Sequence, residues 1–244
     1  MGKEIKELRE EKKRLQEEIE LKKGWISLLS HDFKEVFGNL LWLIQSLESE
    51  FVSKEDFFNL WPRITKDAEK SLQTVNDTST WLKTQLDKYK PQKTELTAYD
   101  LFIALKEGSD EALTEKKIDF TFKGDESLTF SNDSFLILFI LKKLVNNAIK
   151  FSESGKSVDF EVLRSENDIV ISVIDYGLGM GKETQKLLYS FEGPVFQGTN
   201  GEVGAGLSLI IVQQFLSLLQ GEMEVVSTEH KGTKVTIAFP EITT

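Results

Sequence analysis

Cysteine is absent from this sequence of 244 residues, and proline and histidine are scarce, with four and two residues respectively. Without cysteine the chain has no disulfides and no thiolate metal sites, which fits a reducing compartment and leads us to expect a cytoplasmic protein. Its longest apolar run, Phe135 to Leu141, is much shorter than the roughly 20 residues of a membrane helix. No segment has the pattern of a secretion signal either. We therefore expect this part of the chain to make no membrane contact, which leaves open a membrane anchor elsewhere in a longer parent protein.

Positive charge is in the minority, because 30 Lys and Arg stand against 40 Asp and Glu, for a formal charge of −10. Such a chain is repelled by phosphate backbones unless its basic residues form a patch, and the sequence has no such patch. We therefore expect no nucleic acid partner. The content of 40% hydrophobic and 29% charged residues is that of an ordinary globular protein, and the length predicts two domains.

A heptad stripe runs through the first 47 residues, and eleven of its thirteen positions are apolar. The stripe consists of Ile5, Leu8, Lys12, Leu15, Ile19, Lys22, Ile26, Leu29, Phe33, Val36, Leu40, Leu43 and Leu47. This spacing predicts a long helix with an apolar seam. We favour a homodimer over a single long helix packed inside a monomer, because the first twenty residues have no second apolar face.

A second helix is predicted after a break between Glu48 and Asp56. Ser53, followed three residues later by Asp56, resembles a capping box at its start. Its apolar period continues to about Tyr89, and Pro62 either kinks the helix or marks its beginning. Two antiparallel helices per chain, doubled in a dimer, predict a four-helix bundle.

From about Thr94 the periodicity changes to that of a mixed domain. The predicted elements are a helix at Tyr99–Leu113, a strand at Lys117–Phe122, a helix at Asp133–Phe151, strands at Ser157–Leu163 and Ile169–Asp175, a helix at Ala205–Leu219, and strands at Glu222–Ser227 and Thr233–Phe239. Helices collected on one face of these strands imply an α/β sandwich. The fold class is thus α + α/β. The predicted domains are residues 1–22, a coiled-coil helix; 23–92, a dimerising helical hairpin; and 93–244, an α/β domain.

Three features in this second half carry chemistry of their own. Asp175, Gly177 and Gly179 end a predicted strand, where a carboxylate can accept an amine hydrogen bond and glycines allow backbone to approach a flat ligand. Gly204 and Gly206 precede an apolar helix, whose N-terminus suits phosphate oxygens. Asn146 and Asn147 interrupt an apolar helix. Taken singly, each feature also has a plain interpretation as a turn, a flexible loop or a satisfied interior amide.

Their order along the chain resembles the Bergerat ATP-binding fold of histidine kinases. Asn147-Ala148 comes first, then Asp175-x-Gly-x-Gly, then Gly204-Ala-Gly-Leu207, and finally Gly232-Thr233 before the last strand. The resemblance implies ATP and Mg²⁺ as cofactors. It also implies that Asn147 binds Mg²⁺, that Lys150 reaches a phosphate and that Phe151 borders the nucleotide. The adenine amine is assigned to Asp175, with Thr233 nearby. The base pocket and the phosphate loop are assigned to Gly177, Gly179, Gly204, Gly206 and Leu207, and the lid is assigned to residues 181–203.

The stretch Ser30-His31-Asp32-Phe33-Lys34 is similar to the phosphoacceptor box of the same family. Its histidine falls two residues beyond the seam position Leu29, on the solvent side of the predicted bundle. A neutral imidazole has a lone pair free to attack at neutral pH, and Asp32 is suited to orient the ring and accept its proton. The resemblance thus implies that His31 is the phosphoacceptor. We interpret His230 as a surface residue in a turn.

The sequence also departs from the family pattern. Glu35 stands where a Thr or Asn is usual, Val36 where a proline is usual, and Lys143 where a second Asn is common. No Lys or Arg occurs between Lys186 and Lys231, so a basic lid residue is missing. These departures put phosphatase activity in doubt and predict slow catalysis, or catalysis completed by a residue from elsewhere.

Three functions remain in competition at this point. The leading hypothesis is the cytoplasmic catalytic region of a two-component sensor histidine kinase, which phosphorylates itself on His31 and passes the group to an aspartate of a response-regulator receiver domain. The alternatives are a degenerate kinase that binds ATP and acts mainly as a dimeric scaffold, and another ATPase of the same fold. Because the sequence begins inside the heptad stripe, we expect a fragment of a longer protein.

Overall fold

The computed structural model describes residues 2–49, 51, 53–86, 89–166, 168–189, 196–202 and 208–242. It consists of two compact units, Met1–Thr84 and Gln85–Thr244. The first is helical and the second combines helices with two sheets. The predicted mixture of a helical part and an α/β domain is confirmed.

The helical unit contains α1 (Gly2–Glu48) and α2 (Lys54–Leu86). The capping prediction at the start of α2 is correct: the backbone N–H of Asp56 donates to Ser53 Oγ at 3.0 Å, and that hydroxyl donates to Asp56 Oδ2 at 2.7 Å. Pro62 lies inside α2 and does not begin it. Among the described residues, none of the helices is both long enough and apolar enough to cross a bilayer.

Burial in the helical unit is uneven. Leu43 and Trp81 are buried, together with polar side chains such as Thr74 and Thr78. Many large apolar side chains are exposed: Leu8, Ile19, Ile26, Phe37, Leu41, Trp42, Ile44, Phe51, Phe58, Trp61, Leu72 and Leu82. The helical unit thus leaves large apolar side chains uncovered in the single chain.

The α/β unit has seven strands and five helices among its described residues. The strands are Thr94–Thr97 (β1), Asp119–Gly124 (β2), Thr129–Asn132 (β3), Ser157–Ser165 (β4), Asp168–Asp175 (β5), Glu222–Thr228 (β6) and Gly232–Pro240 (β7). The helices are Ala98–Glu107 (α3), Asp110–Lys116 (α4), Ser134–Phe151 (α5), Lys182–Lys186 (α6) and Ser208–Leu218 (α7). β1 and β3 form a two-stranded sheet, and the main sheet has the order β2-β4-β5-β7-β6. Only the β2–β4 pair is parallel among the described strand pairs.

The core forms where the apolar face of the main sheet meets the helices. Alternate residues of β4, namely Val158, Phe160 and Val162, are completely buried. The ring of Phe160 lies 6.3 Å from that of Phe102 in α3, which ties that helix to the sheet. Asp159, between two core residues of β4, receives hydrogen bonds from Thr121 and Lys123 of β2 and from Tyr176, which directly follows β5. The period of two in the sequence thus becomes an apolar and a polar face.

Several elements of this unit differ from the sequence prediction, including the short helix α6, which was not predicted. The single helix expected at Tyr99–Leu113 is two helices, α3 and α4, separated at Gly108 and Ser109. The strands β1 and β3 were missed, because each has only four residues and gains its backbone partners from a distant segment. Element boundaries elsewhere differ by a few residues: β4, for example, ends at Ser165 and not at Leu163.

Candidate nucleotide site

A cavity of about 320 Å³ opens beside α5, β5 and β7. Its walls are mainly apolar, and they include Leu144, Val173, Leu178, Leu188, Val225 and Val235. Its polar lining includes Asn147, Lys150, Asp175 and Thr233. A mainly apolar cavity of this size with a few polar groups is typical of small-ligand sites.

Asp175 is the most buried acid of the cavity, with 7% of its surface exposed at the end of β5. Its Oδ1 accepts hydrogen bonds from the backbone N–H of Gly177 at 3.0 Å and of Thr233 at 3.2 Å. Within the described part of the chain, no donor is bonded to Oδ2. Burial raises the pKa of Asp175 to about 6, although the two backbone donors oppose that rise. The carboxyl group is therefore mainly ionised at neutral pH and retains one oxygen for a ligand donor.

The register of β5 and β7 places two pairs of cavity-lining side chains opposite each other. Asp175 pairs with Thr233, and two residues earlier Val173 pairs with Val235. Because side chains two residues apart share one face of a strand, these four side chains all line the cavity. Sequence reasoning named the two polar members and missed the two valines, although the period of two was the signal that could have identified them.

α5 supplies the other predicted polar residues. Asn147 is partly buried and lines the cavity, whereas Asn146 is exposed. The Lys150 ammonium donates to the backbone oxygen of Phe196 at 3.0 Å and lies 4.7 Å from the ring centroid of Phe151. The structure thus brings Asn147, Lys150 and Phe151 to the cavity that contains Asp175.

Two predicted glycines are required by close backbone approaches. A Cβ added to Gly177 would lie 2.0 Å from the Phe151 carbonyl oxygen, at the end of α5. Gly179 has a φ of +61°, and a Cβ there would lie 1.9 Å from the Thr228 carbonyl oxygen. Glycine at these positions therefore lets the chain after Asp175 pass close to α5 and β6.

Other predicted site residues fall outside what the structure describes. Gly204, Gly206 and Leu207 lie outside the described residues. His31 and Asp32 belong to α1, but their side chains are likewise outside the described part. Of the predicted lid, residues 181–189 and 196–202 are described. His230 is an exposed turn residue between β6 and β7, as the sequence predicted.

Comparison with known proteins finds a family whose members are similar to the part of the chain that contains this cavity. Residues 132–243 match the family described as "Histidine kinase-, DNA gyrase B-, and HSP90-like ATPase". This part of the chain is therefore similar to the ATPase domains of this family. The match includes α5, β5 and β7, so the cavity residues Asn147, Asp175 and Thr233 lie within it.

The similarity to known proteins extends beyond the ATPase domain. The chain is 25% identical to the Sensor histidine kinase YclK of Bacillus subtilis over 244 residues, which are 98% of this chain and 50% of that protein. It thus spans about half the length of this relative. The resemblance to sensor histidine kinases that the motifs predicted is confirmed.

Solved structures support the same architecture. The Acinetobacter baumannii histidine kinase AdeS matches with a TM-score of 0.69 and 16% identity, over 86% of this chain and 98% of that one. The histidine kinase ThkA, solved in complex with the response regulator protein TrrA, matches with a TM-score of 0.66 and 17% identity, over 95% of this chain and 64% of that one. At these identities the likeness is one of fold, and it includes the helical unit as well as the ATPase domain.

Proposed function

We propose that this chain is the cytoplasmic catalytic region of a two-component sensor histidine kinase. In this proposal it binds ATP with Mg²⁺, transfers the γ-phosphoryl group to His31, and passes that group to an aspartate of a response regulator. The observation that carries the proposal is the cavity of the ATPase domain, in which the buried Asp175 carboxylate lies with Asn147 and Lys150.

The base end of the cavity suits adenine. Asp175 Oδ1 is held by two backbone donors, and Oδ2 is left to accept a hydrogen bond from an exocyclic amine. Leu144, Val173 and Val235 provide apolar walls for a flat ring. A ligand without an amine would leave Oδ2 of this buried carboxylate without a donor, which is costly, so this end discriminates between bases.

The other end of the cavity suits phosphates. Asn147 offers an amide oxygen, a ligand type that Mg²⁺ accepts while it shares oxygens with phosphates. Lys150 adds a positive charge in the same cavity. ATP supplies the phosphoryl group that is transferred. The residues of this chain hold the nucleotide by its base and by its phosphates, and positioning of this kind accounts for most of the catalysis of phosphoryl transfer.

His31 is the proposed acceptor of the phosphoryl group. A ring nitrogen of His31 forms a bond to the γ-phosphorus while the bond from that phosphorus to the bridging oxygen breaks and ADP departs. Asp32 is the residue proposed to orient the ring and to take its proton. This assignment rests on the resemblance of the Ser30–Lys34 stretch to the phosphoacceptor box, within helix α1.

A homodimer through the helical unit completes the proposal. Leu8, Ile19 and Ile26 belong to the predicted heptad seam, and each is more than half exposed in the single chain. A second copy of the chain would bury Leu8 and Ile19 in the predicted coiled coil and Ile26 in the predicted four-helix bundle. The exposed apolar surface of the helical unit therefore supports self-association.

The response regulator is the proposed partner in the second transfer. ThkA, whose fold this chain shares, was solved with a response regulator protein. The comparisons do not favour the alternative of a degenerate scaffold. Another ATPase of the same fold would not account for similarity to a sensor histidine kinase over 98% of the chain.

Labelling with γ-³²P-ATP and Mg²⁺ tests the proposal directly. We expect label on the protein that is lost in acid and stable in base, as for phosphohistidine. His31→Ala should abolish it without changing nucleotide affinity, whereas the matched control His230→Ala should label normally. Label retained in His31→Ala would refute the acceptor, and nucleotide binding by the unaltered chain without any label would favour the scaffold.

A further inference from the structure

Lys116, at the end of α4, is a buried cation that the proposed reaction does not use. Its side chain is only 3% exposed. Its ammonium lies within hydrogen-bonding distance of five oxygens, at 2.6 to 3.4 Å. An ammonium has three protons, so these contacts share them. Burying a charge is costly unless it is paired. Five oxygen partners around one buried ammonium therefore indicate that the position of this lysine is important.

Three of the five oxygens belong to the backbone at the end of α5. Lys116 Nζ donates to the carbonyl oxygens of Ile149 at 3.0 Å, Lys150 at 2.8 Å and Ser152 at 3.4 Å. The last carbonyls of a helix have no partner within it, and they lie at the negative end of its dipole. Lys116 thus caps the helix that carries Asn147 and Lys150.

The other two oxygens belong to the segment 196–202, which returns toward the cavity. Lys116 Nζ lies 2.6 Å from Glu202 Oε1 and 2.7 Å from Thr199 Oγ1. The Thr199 hydroxyl in turn donates to the Ser152 carbonyl at 2.6 Å. Although burial opposes it, hydrogen bonding from Lys116 helps hold the pKa of Glu202 below its ordinary value, so this carboxylate is ionised at neutral pH. One ammonium therefore joins this segment to the end of α5.

The segment 196–202 also forms part of the cavity wall. Phe196 and Gln197 line the cavity, and the Phe196 carbonyl accepts the hydrogen bond from Lys150. A backbone bond of 2.7 Å from Gly198 N–H to the Glu202 carbonyl closes the segment into a tight loop. Because the loop is closed, a restraint on Glu202 also restrains the residues that touch the cavity.

We propose that Lys116 is a positioning residue that holds the segment 196–202 against the end of α5, and thereby sets the affinity of the cavity for ATP. This inference rests on the proposed ATP site. Lys116 acts through Glu202 and Thr199, and it is not among the residues that line the cavity.

Three variants and a matched control test the proposal on the full chain. Lys116→Met keeps the length of the side chain and removes its charge, Glu202→Gln keeps the shape of the partner and removes its charge, and the third variant combines both changes. The control Lys156→Met makes the same change at an exposed lysine. We would measure ATP affinity by calorimetry and amide hydrogen exchange of residues 196–202 in the nucleotide-free protein.

We expect the two single variants to exchange faster in residues 196–202 and to bind ATP about five- to tenfold more weakly, as for the loss of a charge-assisted hydrogen bond. The double variant should lose no more ATP affinity than the more weakly binding of the two single variants, because both single changes remove the same contact between Lys116 and Glu202. Lys156→Met should match the unaltered chain. If Lys116→Met destabilises the fold broadly, Glu202→Gln still decides the question, since it leaves the cap of α5 in place.

Three results would overturn the proposal, and they are distinguishable. Normal ATP affinity in Lys116→Met and Glu202→Gln, with tight binding by the unaltered chain, would refute the role of Lys116 alone. No ATP binding by the unaltered chain would refute the proposed nucleotide site, and the role of Lys116 with it. Additive losses in the double variant would show that the two residues act separately, which also contradicts the proposal.

Discussion

The hydroxyl of Tyr89 donates a hydrogen bond of 2.8 Å to Oδ2 of Asp133, which also accepts the backbone N–H of Gln92 at 2.6 Å. The other oxygen of Asp133 accepts the N–H of Leu136 at 2.9 Å and so caps α5. Asp133 is only 1% exposed. One buried carboxylate therefore starts the helix that carries Asn147 and fixes the segment that leads into the α/β unit.

Loss of this carboxylate should destabilise the α/β unit. We expect Asp133→Ala to lower its free energy of unfolding by about 2–3 kcal/mol, because the change removes a helix cap and leaves two further donors unpaired. Tyr89→Phe should cost about 1 kcal/mol, since it removes one hydrogen bond and keeps the ring beside Phe135. Urea unfolding measures both effects, with Tyr99→Phe as control. Equal stability of Asp133→Ala and the unaltered chain would contradict this account of the cap.

A methyl group at Gly177 should disturb the nucleotide site through the backbone. The added Cβ of Gly177→Ala would lie 2.0 Å from the Phe151 carbonyl oxygen, so α5 must shift. We expect a loss of about 2–3 kcal/mol in stability and weaker ATP binding. Gly38→Ala is the control, because its Cβ would meet no atom of the described residues within 4 Å beyond the adjacent helix backbone, and it should slightly stabilise α1. Thermal unfolding and calorimetry would test both, and tight ATP binding by Gly177→Ala would be inconsistent with the observed packing.

Titration of Asp175 should make both the free energy of unfolding and the affinity for ATP depend on pH. Its pKa is raised from the ordinary 3.8 to about 6, so between these values the folded chain binds more protons than the unfolded chain. The stability that the folded chain gains from protonation of Asp175 is therefore fully present below pH 3.8 and is lost as the pH rises through about 6. Urea unfolding as a function of pH should show this slope in the unaltered chain and lack it in Asp175→Asn.

ATP binding should change in the opposite direction, because the proposed contact needs the ionised carboxylate to accept the adenine amine. We expect the ATP affinity of the unaltered chain to increase as the pH rises through about 6. Asp175→Asn should bind weakly at every pH. An affinity that decreases over this range, or an Asn variant that binds normally, would refute the role of Asp175 in base recognition.

Charges on the exposed seam should separate the proposed dimer. Leu8 and Ile26 are each 64% exposed in the single chain, and burying such side chains contributes about 1.5–3 kcal/mol each. We expect Leu8→Glu combined with Ile26→Glu to give a monomer at micromolar concentration by light scattering. Arg9→Glu, at an exposed position off the seam, should remain a dimer. A monomeric unaltered chain would contradict the proposed assembly.

Glu35 yields a prediction about dephosphorylation of the partner. Hydrolysis of an aspartyl phosphate needs an aligned water, and a carboxylate adds negative charge beside an anionic group. We expect Glu35→Thr to raise phosphatase activity toward the phosphorylated regulator, with a modest change in self-phosphorylation. Glu48→Thr, in the same helix, is the control. Slower dephosphorylation in Glu35→Thr would mean that Glu35 itself acts as a base toward water.

Features fixed by neighbours in the chain were predicted well. The Ser53 cap, the long first helix and the helix that ends at Phe151 all follow from spacings within a few residues, because helical hydrogen bonds and caps are local. The short strands β1 and β3 were missed, since Thr94 finds its partner at Asn132, far along the chain. Pairing at that distance leaves little trace in the local pattern.

Residue type and spacing were enough to identify the order of the motifs, the heptad stripe and the candidate residues Asn147 and Asp175. Which residues support the site, in contrast, depends on tertiary contacts. Lys116 and Lys117 are identical neighbours, yet Lys116 is buried among five oxygens and Lys117 is exposed. Their difference comes from the carbonyls of α5 and from Thr199 and Glu202, which folding brings to one side of α4. Burial and partners of this kind depend on distant segments, so no local pattern can specify them.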